Sequence, residues 1–234
     1  MAKIETITSP HVFDLYAEGI EDKTVVIIDI LRATSTITWA FENGVEHIKP
    51  VLEKEEALAE RANGYLAAGE RDGITVEGFD MGNSPKSYNR EQIEGKKIAL
   101  TTTNGTVACH KAANAKKVLI GSFLNKAAVV KAVQEEGNDV LLFCAGWKGK
   151  YNLEDSLYAG ALASYLAKDR EVEDDATLAA MDLWHVAKGD LREYLKKASH
   201  VKRFDRLGIV GDLAFCMRQN ITDIVPEYKN GIIS

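Results

Sequence analysis

Apolar residues in the first two thirds of the chain come in short runs, and between the runs they recur at helical spacing. Residues 24–30, Thr-Val-Val-Ile-Ile-Asp-Ile, make a nearly unbroken β-branched run, as a strand covered on both faces requires. A helix is predicted from about Thr34–Thr36 to Asn43-Gly44, where the glycine can end it. Residues 45–51 predict a second strand, and Glu53 to about Leu66 a charged amphipathic helix. Residues 68–95 are glycine-rich and aperiodic, and are expected to form an irregular connection. The alternation then resumes, with strands at 97–100, 117–120 and 139–144, followed by helices at about 105–114, 124–136 and 153–167. Helices at 174–186, 191–197 and 209–217 and a short strand at 223–225 are expected to complete the chain.

Strands that alternate with helices need crossover connections. The expected fold is therefore α/β, with layered helices over a largely parallel or mixed sheet. The 234 residues, 46% of them hydrophobic, suffice for one substantial core. Residues 1–234 are expected to form a single domain, with room for a division into two lobes.

Charge and composition narrow the functional classes. A net charge of −6 argues against general nucleic-acid binding, but leaves room for a local cationic pocket. No segment has the apolar length of a membrane span, and the start of the chain lacks the apolar run of a signal peptide, so a cytoplasmic protein is expected. Cys109, Cys144 and Cys216 are widely spaced and form no CxxC pair. The five histidines show no metal-ligand spacing and are expected to be surface or satisfied core residues.

Three strand ends carry unusual chemistry. The strand at 97–100 runs into Thr101-Thr102-Thr103-Asn104-Gly105-Thr106 before a helix. Capping needs one such residue. Six in a row suit an anion at a helix start, with Gly105 allowing close backbone approach. The second strand end runs through Asp29 and Arg32 into Thr34-Ser35-Thr36. Arg32 can fork onto the oxygens of an anion, and Asp29 can hold a divalent cation or take a proton. The third, after residue 144, leads to a helix with Glu154 and Asp155 in its first turn. Either carboxylate can complement the helix dipole or bind a metal, and Asn152 with Asp155 resembles a capping box. The glycine-flanked segment adds Glu70, Arg71, Asp80, Asn83 and Ser84.

Several familiar phosphatase and nucleotidase chemistries fail. A haloacid-dehalogenase-type site needs a second aspartate two residues after Asp29, where Leu31 stands. A cysteine phosphatase needs an arginine six residues after Cys144, where Lys150 stands. No GxxxxGK[ST] or HExxH motif occurs. Carboxylates, hydroxyls and arginines at strand ends remain, a set that suits a hard cation, Mg2+ above all, and an anionic substrate.

Taken in order, "DILRATSTI", "GERDG", "EGFDMGNSP", "TTTNGT", "CAG" and "LEDSLYAG" resemble the 2-phosphosulfolactate phosphatase family over about residues 25–165. Weaker similarity follows at "RLGIVGDLAFC" and "VPEYKNG". The departures, Asp72 after Glu70-Arg71 and the bulky Tyr158, remove no proposed ligand. The resemblance implies Mg2+-dependent hydrolysis of 2-phospho-3-sulfolactate to 3-sulfolactate and phosphate, a step of coenzyme M biosynthesis in methanogens. Such a substrate carries phosphate, sulfonate and carboxylate, and needs several anion-binding groups in one cleft.

On this basis the expected catalytic residues are Asp29, Arg32 and Asp80. The expected metal ligands are Asp29 with Glu154 or Asp155. The expected substrate-binding residues are Arg32, Thr34, Ser35, Thr36, Arg71, Asn83, Ser84, Thr102, Thr103, Asn104, Gly105 and Thr106. Direct water attack and an aspartyl-phosphate on Asp29 both stay open. The rival readings are a phosphatase for another small phospho-acid and a non-enzymatic binder of small anions. A homodimer is a fair expectation for an enzyme of this size.

Overall fold

The structure, a computed structural model, describes residues 1–172 and 174–234. Its strands are β1 (Lys3–Ile7), β2 (Thr24–Ile28), β3 (His47–Pro50), β4 (Tyr65–Arg71), β5 (Ile74–Thr75), β6 (Lys97–Thr101), β7 (Lys117–Gly121), β8 (Val140–Cys144), β9 (Glu171–Val172), β10 (Tyr228–Lys229) and β11 (Ile232–Ile233). The helices are α1 (Ala33–Glu42), α2 (Lys54–Ala59), α3 (Arg90–Ile93), α4 (Gly105–Lys111), α5 (Lys126–Glu136), α6 (Leu153–Leu166), α7 (Asp175–Ala187), α8 (Leu191–Leu195), α9 (Ser199–Leu207) and α10 (Asp212–Cys216).

The strands form two sheets. The first is parallel, in the order β7-β2-β8-β1-β9. The second is mixed, in the order β10-β11-β3-β6-β4-β5, with β3, β6 and β4 parallel and the outer pairs antiparallel.

Strand β2 explains its own composition. Val26 and Ile28 face one core, with α5, α6 and α7. Val25 and Ile27 face another, with Ile37 and Ala40 of α1, Ala108 and Cys109 of α4, and Ile48, Ile98 and Leu100 of the second sheet. A strand buried on both faces has no polar side to show. A third, small cluster of Val51, Ala57, Ala67 and Ala99 packs α2 on the far face of the second sheet. The layers are thus helix, sheet, helix, sheet, helix. Helices α1 and α4 lie between the sheets, and each connects one sheet to the other.

The expected α/β fold is present. Four local expectations are corrected. Residues 65–71, expected as a helix end and loop, form strand β4 inside the second sheet. Ser199–Leu207 is helical, and helix α10 covers only Asp212–Cys216 of the expected 209–217. The closing strand lies at 228–233 as a hairpin rather than at 223–225. The short strand β1, unmarked by any long apolar run, is an inner strand of the first sheet, between β8 and β9. Among the described residues no helix is long and apolar enough to cross a membrane.

Candidate active site

Helix α1 follows β2 and α4 follows β6, and their N-terminal ends meet. A Cβ at Gly105 would lie 2.7 Å from the Ala33 Cβ and 3.0 Å from Asp29 Oδ2. Real Cβ contacts do not come so close, so glycine is what lets the two helix starts touch. The pocket beside this contact is lined by Asp29, Leu31, Arg32, Glu70, Gly73, Asn83, Asn104, Trp147, His200 and Phe204. A roomier hollow over α5, edged by Ala127, Lys131 and Asp223, holds no comparable convergence of polar groups.

Asp29 is buried, and its Oδ1 accepts the Ala33 N–H at 3.2 Å. Burial pushes its carboxyl up to about 7, and the negative charges of Glu70 and Glu154 act in the same direction. The Ala33 N–H and Arg32 oppose them. Glu70 is held at both oxygens. Oε1 accepts Thr103 N–H and Oγ1–H, each at 2.9 Å, and Oε2 accepts Gly73 N–H at 2.6 Å. Asn83 is buried, and its Oδ1 has no hydrogen-bond partner. Asn104 Oδ1 accepts the Lys148 N–H at 3.0 Å, tying the α4 start to the loop that carries Trp147.

Arg32 follows a cis Leu31–Arg32 peptide and is also buried. It donates to Asp212 Oδ2 at 2.6 Å and to the Gly73 carbonyl at 3.0 Å, and lies over the Phe204 ring. Ser84 Oγ donates to the other Asp212 oxygen at 2.8 Å, so it steadies Arg32 from one residue away. Glu154 Oε1 is 2.6 Å from His200 Nδ1, with both residues buried.

The structure separates the expected site residues into two groups. Asp29, Arg32, Asn83 and Asn104 share the pocket wall, and Gly105 lies against Asp29. Glu154 lies behind His200. The others are engaged elsewhere. Thr34 Oγ1 donates to the Asp29 carbonyl, Ser35 Oγ to the Ile30 carbonyl, and Thr36 Oγ1 to the Asn83 carbonyl. Thr102 and Thr106 bond to each other, each accepting the other's N–H at its hydroxyl oxygen. Thr103 is bound to Glu70.

Arg71 points to the Leu52 and Glu70 carbonyls and to Thr101, joining β4 to β6. Asp80 accepts the Ala67 N–H and pairs with Arg61 at 2.9 Å, outside the pocket. Asp155 accepts Ile30 N–H at 2.9 Å and Gly146 N–H at 3.0 Å. It therefore stitches the ends of β2 and β8 together and lies outside the pocket lining. Burial, then Asp29 and Glu154, raise its carboxyl, and those two N–H groups oppose the rise. Asn152 donates to Asp155 Oδ2 and makes no side-chain cap, so the expected capping box is absent.

Trp147, His200, Phe204, Gly73 and Asp212 were not marked as site residues by the motifs. The one local signal was the spacing of His200 and Phe204, four apart, which puts them on one face of a helix.

The converging acceptors, Asp29, Glu70 and the unpartnered Asn83 Oδ1, are all oxygens, the donor type of a hard divalent cation. Among the described residues no three or more His, Cys, Asp and Glu side chains form a cage by themselves.

A family model described as 2-phosphosulpholactate phosphatase matches residues 11–231. A probable 2-phosphosulfolactate phosphatase of Clostridium tetani is 42% identical over 224 residues, covering 94% of this chain and 95% of the relative. Proteins of the same description from Caldanaerobacter subterraneus subsp. tengcongensis and Thermotoga maritima are 41% and 42% identical, covering 92% and 91% of this chain and 91% and 92% of the relatives. With a match that spans nearly its whole length, the chain belongs to the 2-phosphosulfolactate phosphatase family.

Proposed function

We propose that the protein hydrolyses 2-phospho-3-sulfolactate to 3-sulfolactate and phosphate, with Mg2+ as its metal. The observation that carries this reading is the convergence of Asp29, Glu70 and the unpartnered Asn83 oxygen beside Arg32 in one pocket. Two buried carboxylates whose charges repel, beside an amide oxygen with no donor, call for a cation.

Asp29, Glu70 and Asn83 are the residues that would hold Mg2+, with Glu154 adding negative charge from behind. When bound, Mg2+ supplies positive charge against the phosphate oxygens and acidifies a nearby water. Arg32 contributes a permanent positive charge to the phosphoryl oxygens as the bond to the leaving oxygen breaks. Asp212 and the Gly73 carbonyl keep that guanidinium in place. His200, fixed at Nδ1 by Glu154, has its other ring nitrogen available to give a proton to the leaving oxygen. Phe204 and Trp147 restrict water at that wall.

Phosphate release from 2-phosphosulfolactate, 3-phosphoglycerate and phospholactate, with Mg2+ and with EDTA, tests the reading. Metal-dependent release that is fastest for the sulfonated ester is the expected result. A faster rate on 3-phosphoglycerate would assign another phospho-acid. No release from any of them by folded protein would leave a binder of small anions.

A further inference from the structure

One cation near the pocket has no role in the hydrolysis described above. Arg203 lies on α9 between His200 and Phe204, which both line the pocket. Its guanidinium sits over the Trp147 ring, 3.4 Å from the centroid. Its Nε and Nη2 are buried and have no hydrogen-bond partner. A guanidinium does not give up its charge, so these donors stay unmet, which is costly in a buried place.

The carboxylates whose charge reaches Arg203 are Glu70, Glu154 and Asp72. Each is engaged: Glu70 with Thr103 and Gly73, Glu154 with His200, and Asp72 with Lys148. The two unmet nitrogens are neighbours on one edge of the guanidinium, and their N–H bonds point the same way. That edge takes two oxygens of a single oxyanion side by side.

The surrounding rings place this edge relative to Arg32. Arg32 lies 5.1 Å from the Phe204 ring, Phe204 lies 5.0 Å from His200, and His200 lies 5.5 Å from Trp147. Arg203 covers the far end of the row. Three rings of the pocket lining are therefore linked by contacts in sequence, with Arg32 against the first and Arg203, just beyond the lining, against the last. Arg32 is beside Asp29 and so belongs to the phosphate end.

We propose that Arg203 binds the acid group of the substrate that is not transferred, its sulfonate or its carboxylate, through the Nε–Nη2 edge. It thereby selects esters that carry an acid group besides the phosphate. This rests on the hydrolase reading above and adds to it a residue that discriminates between substrates.

The test compares kcat/KM, with Mg2+, for four esters: 2-phosphosulfolactate, phospholactate, O-phosphoisethionate and 2-hydroxyethyl phosphate. The second keeps only the carboxylate, the third only the sulfonate, and the fourth has neither. Arg203→Met is expected to lower kcat/KM about 30-fold on 2-phosphosulfolactate and on the single-acid ester whose group Arg203 holds. On 2-hydroxyethyl phosphate the change should stay within about threefold. The single-acid ester that falls tells sulfonate from carboxylate. Arg203→Lys keeps the charge without the fork, and its loss on the same esters should be intermediate. A common loss on all four esters, or no loss on any, overturns the proposal.

If Arg203→Met does not fold, the Arg203→Lys comparison decides by the same criteria. If the wild-type protein releases phosphate from none of the four, the hydrolase reading has failed. Calorimetric titration with 3-sulfolactate then decides for Arg203. At least about tenfold weaker binding to the Met variant supports it, and equal binding, or none by wild type, overturns it.

Discussion

The start of α1 carries three consecutive hydroxyls, Thr34, Ser35 and Thr36, and all three are fully buried and donate to backbone carbonyls. Helix α9 carries four charged residues among nine, yet it brings His200 and Phe204 to the pocket wall and stacks Arg203 on Trp147. The hydroxyl-rich turn shapes Asp29 from behind, and the charge-rich helix faces the ligand space. Small polar side chains reach only local backbone, and the turn uses them to hold its own geometry. Long side chains on a covering helix reach across and stay available.

Four measurements would break or sharpen this contrast. The largest effect is expected at the residue the turn serves. Asp29→Asn should lower kcat by about a thousandfold or more while circular dichroism shows an intact fold. Wild-type-like turnover in that variant would remove Asp29 from the chemistry.

The second measurement is on the metal-free protein. The Asp29 carboxyl is raised to about 7 in the folded state, so between about pH 4 and 7 the folded form holds a proton that the unfolded form has lost. Folding stability in chelator should therefore fall as pH rises through that window and level off above it, with a total on the order of 4 kcal/mol. In Asp29→Asn this component should be missing. Urea denaturation in EDTA at pH 5, 6, 7 and 8 reads the difference. Parallel curves for the two proteins would mean that burial does not strain the carboxylate.

The third concerns α9. His200→Gln should cost roughly 10- to 100-fold in kcat and little in melting temperature. An equal loss of both would make α9 a scaffold and not a functional face.

The smallest effect on activity belongs to the turn. Thr34 Oγ1 donates to the Asp29 carbonyl at 3.0 Å and accepts the Asp29 N–H at 3.1 Å. Thr34→Val should lower stability by about 1–2 kcal/mol while KM stays within about twofold. A large rise in KM would return the hydroxyl to the ligand.

The alternation of strands and helices was legible because covered strands and amphipathic helices leave different periods in the chain. Their division into two sheets was not. β6 looks like β2 and β8 along the sequence, and only pairing across large separations assigns it to the second sheet. β4 was hidden by Gly69, Glu70 and Arg71, residues chosen for close approach and site building rather than for strand propensity. At the site, Asp29, Arg32, Asn83 and Asn104 were found because strand ends and glycine-flanked loops concentrate chemistry. Asp155 looked equivalent to Glu154 because both lie in one helical turn. Adjacent helix positions face different directions, and one carboxylate met backbone N–H groups while the other met His200. Trp147 and His200 come together only in the fold.

Strand β1 has a consequence for how the molecule is made. It is synthesised well before its two partners in the sheet, β8 and β9, which begin at residues 140 and 171. At about 5–20 residues per second, a ribosome needs roughly 7–27 s to go from the end of β1 to the start of β8. Throughout that interval Ile4 and Ile7 have no sheet to enter, although both end fully enclosed. A strand made early is therefore sheltered late, and the first sheet closes around a segment that has had to wait for β8 and β9 to follow it.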